Sequence, residues 1–396
     1  MDEPTTTGGA SAPRSTLAFV AARVRTHRSE GLLTDHAVLV DGDRISAVVP
    51  RDEVPAHATV HDLGRVDLAP GFVDVQVNGG GGVLLNEEPS PDTIRTIVAA
   101  HRRFGTTSLL PTLITDTNET MWEARRAVDA AIQRRVPGVV GAHFEGPFLD
   151  PRKAGAHDRG LVRGPHREDL DAILEGTLGV TLVTAAACCL DHDTVERLLD
   201  SGARVSLGHC ASTYAEARAA FAAGVTGVTH LYNAMSQLES RAPGLVGAAL
   251  ATGGVTSGLI VDGVHVDYGA VRAAWRACGT DGIMLVTDAV QPVGSDLTEF
   301  RLGGQRVRLV GDRCVNEEGN LAGSALDMAS AVRNAVRYAG IPLADALRMA
   351  SSTPARFLGL DAEIGGIAPG MRADLVVLDD RLEVVATVAG GAFEAY

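Results

Sequence analysis

The chain has 396 residues, 45% of them apolar and 4% aromatic, with 49 acidic against 35 basic side chains and a formal charge of −14. That length admits one large α/β domain with a satellite, or two to three ordinary domains, and the apolar content excludes a disordered or fibrous chain. The acidic balance opposes non-specific binding to nucleic acid or anionic membranes, so neither is expected as a partner.

Residues 1–15, MDEPTTTGGASAPRS, are small and polar and are expected to form a flexible tail. They lack the basic start and apolar stretch of a secretory leader, and no apolar run reaches the eighteen residues needed to cross a bilayer, which makes the cytoplasm the expected location. From 16 to 68, short β-rich runs such as HAVLVDGDRISAVVP alternate with turn signals, among them Asp41-Gly42-Asp43. Residues 361–396 close in the same style with ADLVVLDDRLEVVATVAGGAFEAY. Both chain ends are therefore assigned to one small β-sandwich that encloses residues 69–360.

In the enclosed region, apolar runs of strand length (71–77, 106–112, 138–144, 180–186, 204–209, 227–231, 257–263 and 283–288) alternate with amphipathic segments of helix length. Eight such strands predict a (β/α)8 TIM-type barrel, in which a parallel sheet buried on both faces explains the nearly continuous apolar runs. A doubly wound open sheet is the alternative. No GxGxxG opens a helix in the first β-α unit, which leaves a dinucleotide-dependent oxidoreductase without its phosphate-binding fingerprint.

The five cysteines, an odd number with no CxxC spacing, are read as small buried hydrophobes rather than a disulfide framework or zinc knot. Lys153 is the only lysine, so a Schiff-base lysine or a carbamylated lysine bridging two metals has almost nowhere to go. The polar residues that interrupt or end the strand runs are Gln76, Asn78, His143, Glu145, His209, His230, His265 and Asp288. Singly, each is what a satisfied, hydrogen-bonded residue would give. Together they matter, because the C-terminal ends of barrel strands converge on one mouth, and a carboxylate with two imidazoles suits zinc or a similar divalent ion. Glu145, His209 and His230 would supply three ligands and leave a fourth position open, the mark of a catalytic site. Asp288 is then placed to exchange a proton with water, and His265 is left as a donor to a substrate carbonyl or anion.

Eight ordered blocks carry a resemblance to a known family: APGFVDVQVNGGGG (69–82), HFEGPF with KAGAHD (143–158), GHCAST (208–213), THLYNAMS (229–236), DGVHVD (262–267), VTDAV (286–290), LAGSALDM (321–328) and GGIAPGMRADLVVLD (365–379). Over essentially its whole length the chain resembles the N-acetylglucosamine-6-phosphate deacetylases of the amidohydrolase superfamily. The resemblance implies that Glu145, His209 and His230 hold one divalent metal ion, zinc first and iron, cobalt or manganese as alternatives, and that Asp288 is the proton donor and acceptor. It further implies substrate contacts from Gln76, Ala156, His157, Asn233, Ala234, Arg241, Asp262, Gly263, Val264, His265, Leu321, Ala322 and Gly323. Arg241 has its own warrant, since a guanidinium suits a phosphate and an acidic protein needs a local cation to bind one.

The implied reaction is deacetylation of N-acetyl-D-glucosamine 6-phosphate to D-glucosamine 6-phosphate and acetate, in a homodimer whose partner could lend Arg241. The alternatives are an amidohydrolase acting on N-acetylgalactosamine 6-phosphate or on another acetylated or cyclic amide, and a non-catalytic scaffold, which should lack a ligand or the aspartate. Two stretches depart from the wider pattern. Gln76 and Asn78 stand where most of the superfamily carries the HxH that binds a second metal, so a single tightly held ion is expected. VTAAACCL places Ala187 and Cys188 where relatives usually carry proline and glutamate, which bears on local loop shape.

Overall fold

The computed structural model describes residues 16–26, 31–176 and 178–396; the segment expected to be a tail, 1–15, lies outside the described residues. Eight parallel strands follow one another in chain order: β1 Phe72–Val77, β2 Thr106–Ile114, β3 Gly141–Glu145, β4 Val180–Ala185, β5 Arg204–Leu207, β6 Gly227–Val228, β7 Thr256–Leu259 and β8 Ile283–Leu285. All residues of β1 and β2 are buried, as a sheet covered on both faces requires. Just past β8 the chain returns to β1: the Asp288 N–H donates to the Gln76 carbonyl at 3.0 Å, and Val77 bridges Ala289 in parallel. An unbroken order that comes back to its first strand is a nearly closed barrel, not a doubly wound sheet, whose strand order reverses at a switch point.

Helices fill the connections where the amphipathic segments lie, and polar residues start them. The side chains of Ser90, Thr117, Asp191, Thr213 and Asp327 each accept a backbone N–H from the first turn of the helix that follows, satisfying a donor that the helix itself cannot.

The two chain ends build one eight-stranded mixed sheet, in the order Ala392–Ala395, Val384–Ala389, Leu375–Leu378, Asp67–Pro70, Leu17–Arg25, Leu32–Asp41 and Arg44–Pro50, with Thr59–Asp62 also pairing Leu17–Arg25. The sheet curls on itself: the rings of Phe19 and Phe393, four strands apart, lie 5.6 Å apart, with His61 against both. Its own apolar core includes Phe19, Val38, Ile45, Leu68, Leu375 and Val388. Gly105 marks its contact with the barrel. A Cβ there would sit 2.7 Å from the Phe72 ring and 2.9 Å from Val376, and φ of 88° excludes most other residues.

Two features differ from the sequence reading. Between β8 and the helix Met328–Arg337 lies a three-stranded antiparallel sheet, Glu299–Leu302, Gln305–Val310 and Arg313–Asn316, whose short strands alternate exposed and buried residues instead of forming an apolar run. All five cysteines are free, but only Cys210 and Cys314 are buried; Cys188 is exposed, because it lies in a 3-10 turn beyond the end of β4. No helix among the described residues is long and apolar enough to cross a membrane.

Candidate active site

The apolar runs that contain His209, His230 and Asp288 are longer than the strands they form. The ladders stop at Leu207, Val228 and Leu285, and the three polar residues follow two or three positions later with φ of 47°, 33° and 52°. A left-handed backbone at a residue with a Cβ is costly, and such strain gathers at functional sites. Here it accompanies a group of side chains gathered at the mouth of the barrel.

That group is compact. Glu145 Oε1 lies 3.1 Å from His209 Nε2 and 2.9 Å from His230 Nε2, and the two imidazole nitrogens are 3.0 Å apart. All three side chains are buried. Donors sharing one ion tetrahedrally at 2.0–2.2 Å would be about 3.3 Å apart, so these three atoms stand close to the spacing of a common ligand shell. His157 also comes within range, since Glu145, His157 and His209 offer ligand atoms within 4.8 Å of one another.

Ring chemistry separates the histidines. His209 directs Nδ1 at the Lys153 carbonyl, 2.8 Å away, which makes Nδ1 the protonated nitrogen and leaves the Nε2 lone pair facing Glu145 and His230. His157 is the reverse: its Nδ1 accepts the Thr115 N–H at 3.2 Å, so the proton sits on Nε2. Burial and the neighbouring His209 hold His157 neutral, well below the usual histidine range. It is thus an N–H donor rather than a cation ligand, and the shell that fits an ion is Glu145, His209 and His230. Burial opposes charge on Glu145, yet the two imidazoles outweigh it and hold the carboxyl well below its usual range, while His230 is raised by the same pairing against its own burial. A buried carboxylate in this setting requires positive charge beside it.

Gln76 and Asn78 hold the carboxylates in place. Gln76 Nε2 donates to Glu145 Oε2 and to Asp288 Oδ1, at 3.1 Å each, and Asn78 Nδ2 donates to Asp288 Oδ1 at 2.8 Å. Desolvation, helped by the charge of Glu145, pushes Asp288 up to about 6. His265 is oriented by Asp262, whose Oδ2 lies 2.6 Å from Nδ1 while Oδ1 accepts the N–H of Val264 and of His265 itself. Burial would raise Asp262, but these bonds leave it below its usual value. With Nδ1 committed, His265 can donate from Nε2 only when the ring is protonated.

The cavity above this group is about 840 Å³ in volume. Among the expected substrate contacts, Ala156, His157, Asn233, Ala234, His265, Leu321 and Gly323 line it. Gln76 and Ala322 are buried outside its lining, and Asp262, Gly263 and Val264 also lie outside it, Asp262 against the His265 ring. Arg241 is exposed and lies outside the cavity of its own chain. Lining residues that the sequence reading does not assign to the site include Lys153, Arg159, Gln305, Asn316, Glu318 and Asn320. Four of these belong to the small antiparallel sheet and the turn after it. Its Gly303-Gly304 turn presses on the loop after β3, where a Cβ on Gly303 would meet the Ala156 carbonyl at 2.2 Å. The signal available was Gly-Gly between two short alternating runs, a hairpin signature.

A model of the amidohydrolase family matches residues 68–393, and one of the NagA composite domain matches residues 18–65. The chain is 43% identical to an N-acetylgalactosamine-6-phosphate deacetylase of Shewanella sp. (strain ANA-3), across 92% of this chain and 93% of that protein. It is 36% identical to an N-acetylglucosamine-6-phosphate deacetylase of Haemophilus influenzae, across 92% and 96%. The crystal structure of N-acetylglucosamine-6-phosphate deacetylase from Pasteurella multocida superposes with a TM-score of 0.93 at 36% identity, covering 96% of this chain and 100% of that one. A mutant Mycobacterium smegmatis enzyme in complex with N-acetyl-D-glucosamine 6-phosphate superposes at 0.88 and 33% identity, covering 96% and 99%.

Proposed function

The chain belongs to the amidohydrolase family and, within it, to the NagA-type amino-sugar-6-phosphate deacetylases; from that premise we propose that it hydrolyses N-acetyl-D-glucosamine 6-phosphate to D-glucosamine 6-phosphate and acetate. The observation that carries the reading is the meeting of Glu145, His209 and His230 within 3.1 Å of one another, with Asp288 tied to Glu145 through Gln76.

These three side chains would hold one divalent ion, with zinc the first choice and iron, cobalt and manganese accepted by the same donors. Bound there, such an ion supplies Lewis acidity that polarises an amide carbonyl and lowers the pKa of water toward neutrality. Gln76 and Asn78 argue for a single ion, since their amide nitrogens take the positions from which a second would be held. Asp288 takes a proton from the attacking water and returns it to the departing amine. The Nε2–H of His157, and His265 whenever its ring carries both protons, donate to oxygens of the substrate, one of them as charge builds on the carbonyl. Ala156, Asn233, Ala234, Leu321 and Gly323 flank the sugar. Because Arg241 is exposed outside its own cavity, its contact with the phosphate rests on a second copy of the chain, in a homodimer.

A second reading, the galactosamine epimer, is favoured by the 43% identity to the Shewanella protein of that name. Acetate release from both epimers, with and without the 6-phosphate, after chelation and metal add-back, tests both readings. A higher kcat/KM for the glucosamine epimer supports the first and the opposite ratio the second, and the remote phosphate should contribute strongly to kcat/KM in either case. No release from any of these amides would end both.

A further inference from the structure

We propose that Asn78 is a further catalytic residue of this deacetylation: its side-chain carbonyl accepts the N–H of the substrate acetamide and holds the nitrogen that Asp288 protonates. The assignment rests on the amide-hydrolase reading above. Asn78 is the residue after β1, fixed there by its own N–H, which donates to the Ala289 carbonyl at 2.9 Å. Its side chain is 2% exposed and lines the cavity. One end of the amide is set by chemistry: an ionised carboxylate only accepts, so the atom 2.8 Å from Asp288 Oδ1 must be Nδ2. The other end, Oδ1, is buried and has no hydrogen-bond partner among the described residues. Native structures seldom keep such an acceptor unpaired without a use.

The reacting amide brings the missing donor. A secondary acetamide carries one N–H, on the opposite side of the C–N bond from its carbonyl oxygen. With that oxygen turned toward His265 and the ion that Glu145, His209 and His230 would hold, the N–H is left for an acceptor beside Asp288. Gln76 and Asn78 both donate to Asp288 Oδ1, which leaves Oδ2 for proton traffic. In the cleavage step water oxygen has bonded to the acetyl carbon, the C–N bond breaks with its electron pair going to nitrogen, and Asp288 delivers to that nitrogen the proton it took from water. The products are a free amine and acetate. Asn78 gains and loses nothing; by holding the N–H it turns the developing lone pair toward Asp288.

The test compares binding of D-glucosamine 6-phosphate and 2-deoxy-D-glucose 6-phosphate, which has no donor at C2, to the metal-loaded protein, by calorimetry, in wild type and Asn78→Ala. Wild type should prefer the amino sugar, and Asn78→Ala should lose about tenfold of that preference, with metal content and 2-deoxyglucose 6-phosphate affinity unchanged and kcat/KM for the acetamide lower by at least as much. Asn78→Asp, which keeps an acceptor and removes the donor to Asp288, should retain the preference while turnover falls. Asn78→Ser is read by the criterion for Asn78→Ala if that variant does not fold. Unchanged discrimination in a folded, metal-loaded Asn78→Ala, or none in an active wild type, overturns the assignment alone. A wild type that releases no acetate from any acylated amino-sugar phosphate overturns the reading of the site, and this assignment with it.

Discussion

The barrel holds buried histidines at two levels, and what satisfies their rings differs between them. In the interior, His143 lies within β3 and its ring meets threonine hydroxyls on both sides, Thr184 at 2.7 Å and Thr112 at 3.3 Å. Burial pushes it down to about 4, so it is a neutral link in a chain of hydroxyls that continues from Thr184 to Thr229. At the mouth, His209 and His230 sit past the ends of their strands, in left-handed conformations, with Nε2 atoms turned toward each other and toward one carboxylate oxygen. A ring whose nitrogens are both spent within the protein supports the fold. Two ring nitrogens and a carboxylate oxygen converging on one point mark a place for a cation.

The most severe way to break this contrast is to remove one ring from each level. His209→Ala should reduce bound metal from one equivalent to below about a tenth, and deacetylation by about a thousandfold or more, since the ion is worth several kcal/mol of transition-state stabilisation. His143→Ala should keep a full equivalent of metal and lose about 1–3 kcal/mol of stability through its unpaired hydroxyl partners. Elemental analysis of metal per chain beside thermal unfolding separates the two; equal metal in both variants would erase the distinction.

Within the mouth, Asp288→Asn sharpens the comparison by separating proton transfer from metal holding. Turnover should fall by about 10² to 10⁴, the span general acid-base groups contribute, while metal content stays at that of wild type. Turnover within a few-fold of wild type would remove Asp288 from the reaction.

Much of this was legible in the sequence, for a physical reason. A parallel sheet covered on both faces writes long apolar runs, and polar residues at the ends of those runs can only gather at one rim. Hence Glu145, His209, His230 and Asp288 could be named before any coordinates. Less legible was what depends on small displacements. Gln76 was grouped with the substrate contacts, but its side chain points sideways between two carboxylates, a direction that spacing does not encode. Asp262 shares a motif with His265 and stands behind it, bonded to its ring. Arg241 is exposed beyond the chain's own cavity, a placement that its motif does not encode. The small antiparallel sheet escaped because its strands are short and half-exposed, leaving only the Gly303-Gly304 turn as a signal.

The interior also has a counterpart to Asp288, and it yields the mildest of these tests. Asp74, within β1, accepts hydrogen bonds from the Thr287 hydroxyl at 2.5 Å and from the backbone N–H of Gln76 at 3.2 Å, yet burial outweighs them and pushes its carboxyl up to about 7 from a usual 3.8. A carboxyl that binds its proton more tightly in the folded state than in the unfolded one contributes stability that is complete below about pH 4 and is lost as pH rises through 7. The displacement corresponds to at most about 4 kcal/mol across that window. Asp74→Asn cannot ionise, so its stability should be flatter between pH 4 and 8, with the variant gaining on wild type toward the alkaline end. Unfolding midpoints of both proteins at pH 5 and pH 8 measure this, and parallel slopes would show that Asp74 does not titrate there. Metal content at fixed pH should stay near one equivalent, and turnover should change far less than in Asp288→Asn. Asp74 reaches the mouth only through Thr287 and the Gln76 backbone, whereas Asp288, raised by the same desolvation, faces the cavity itself.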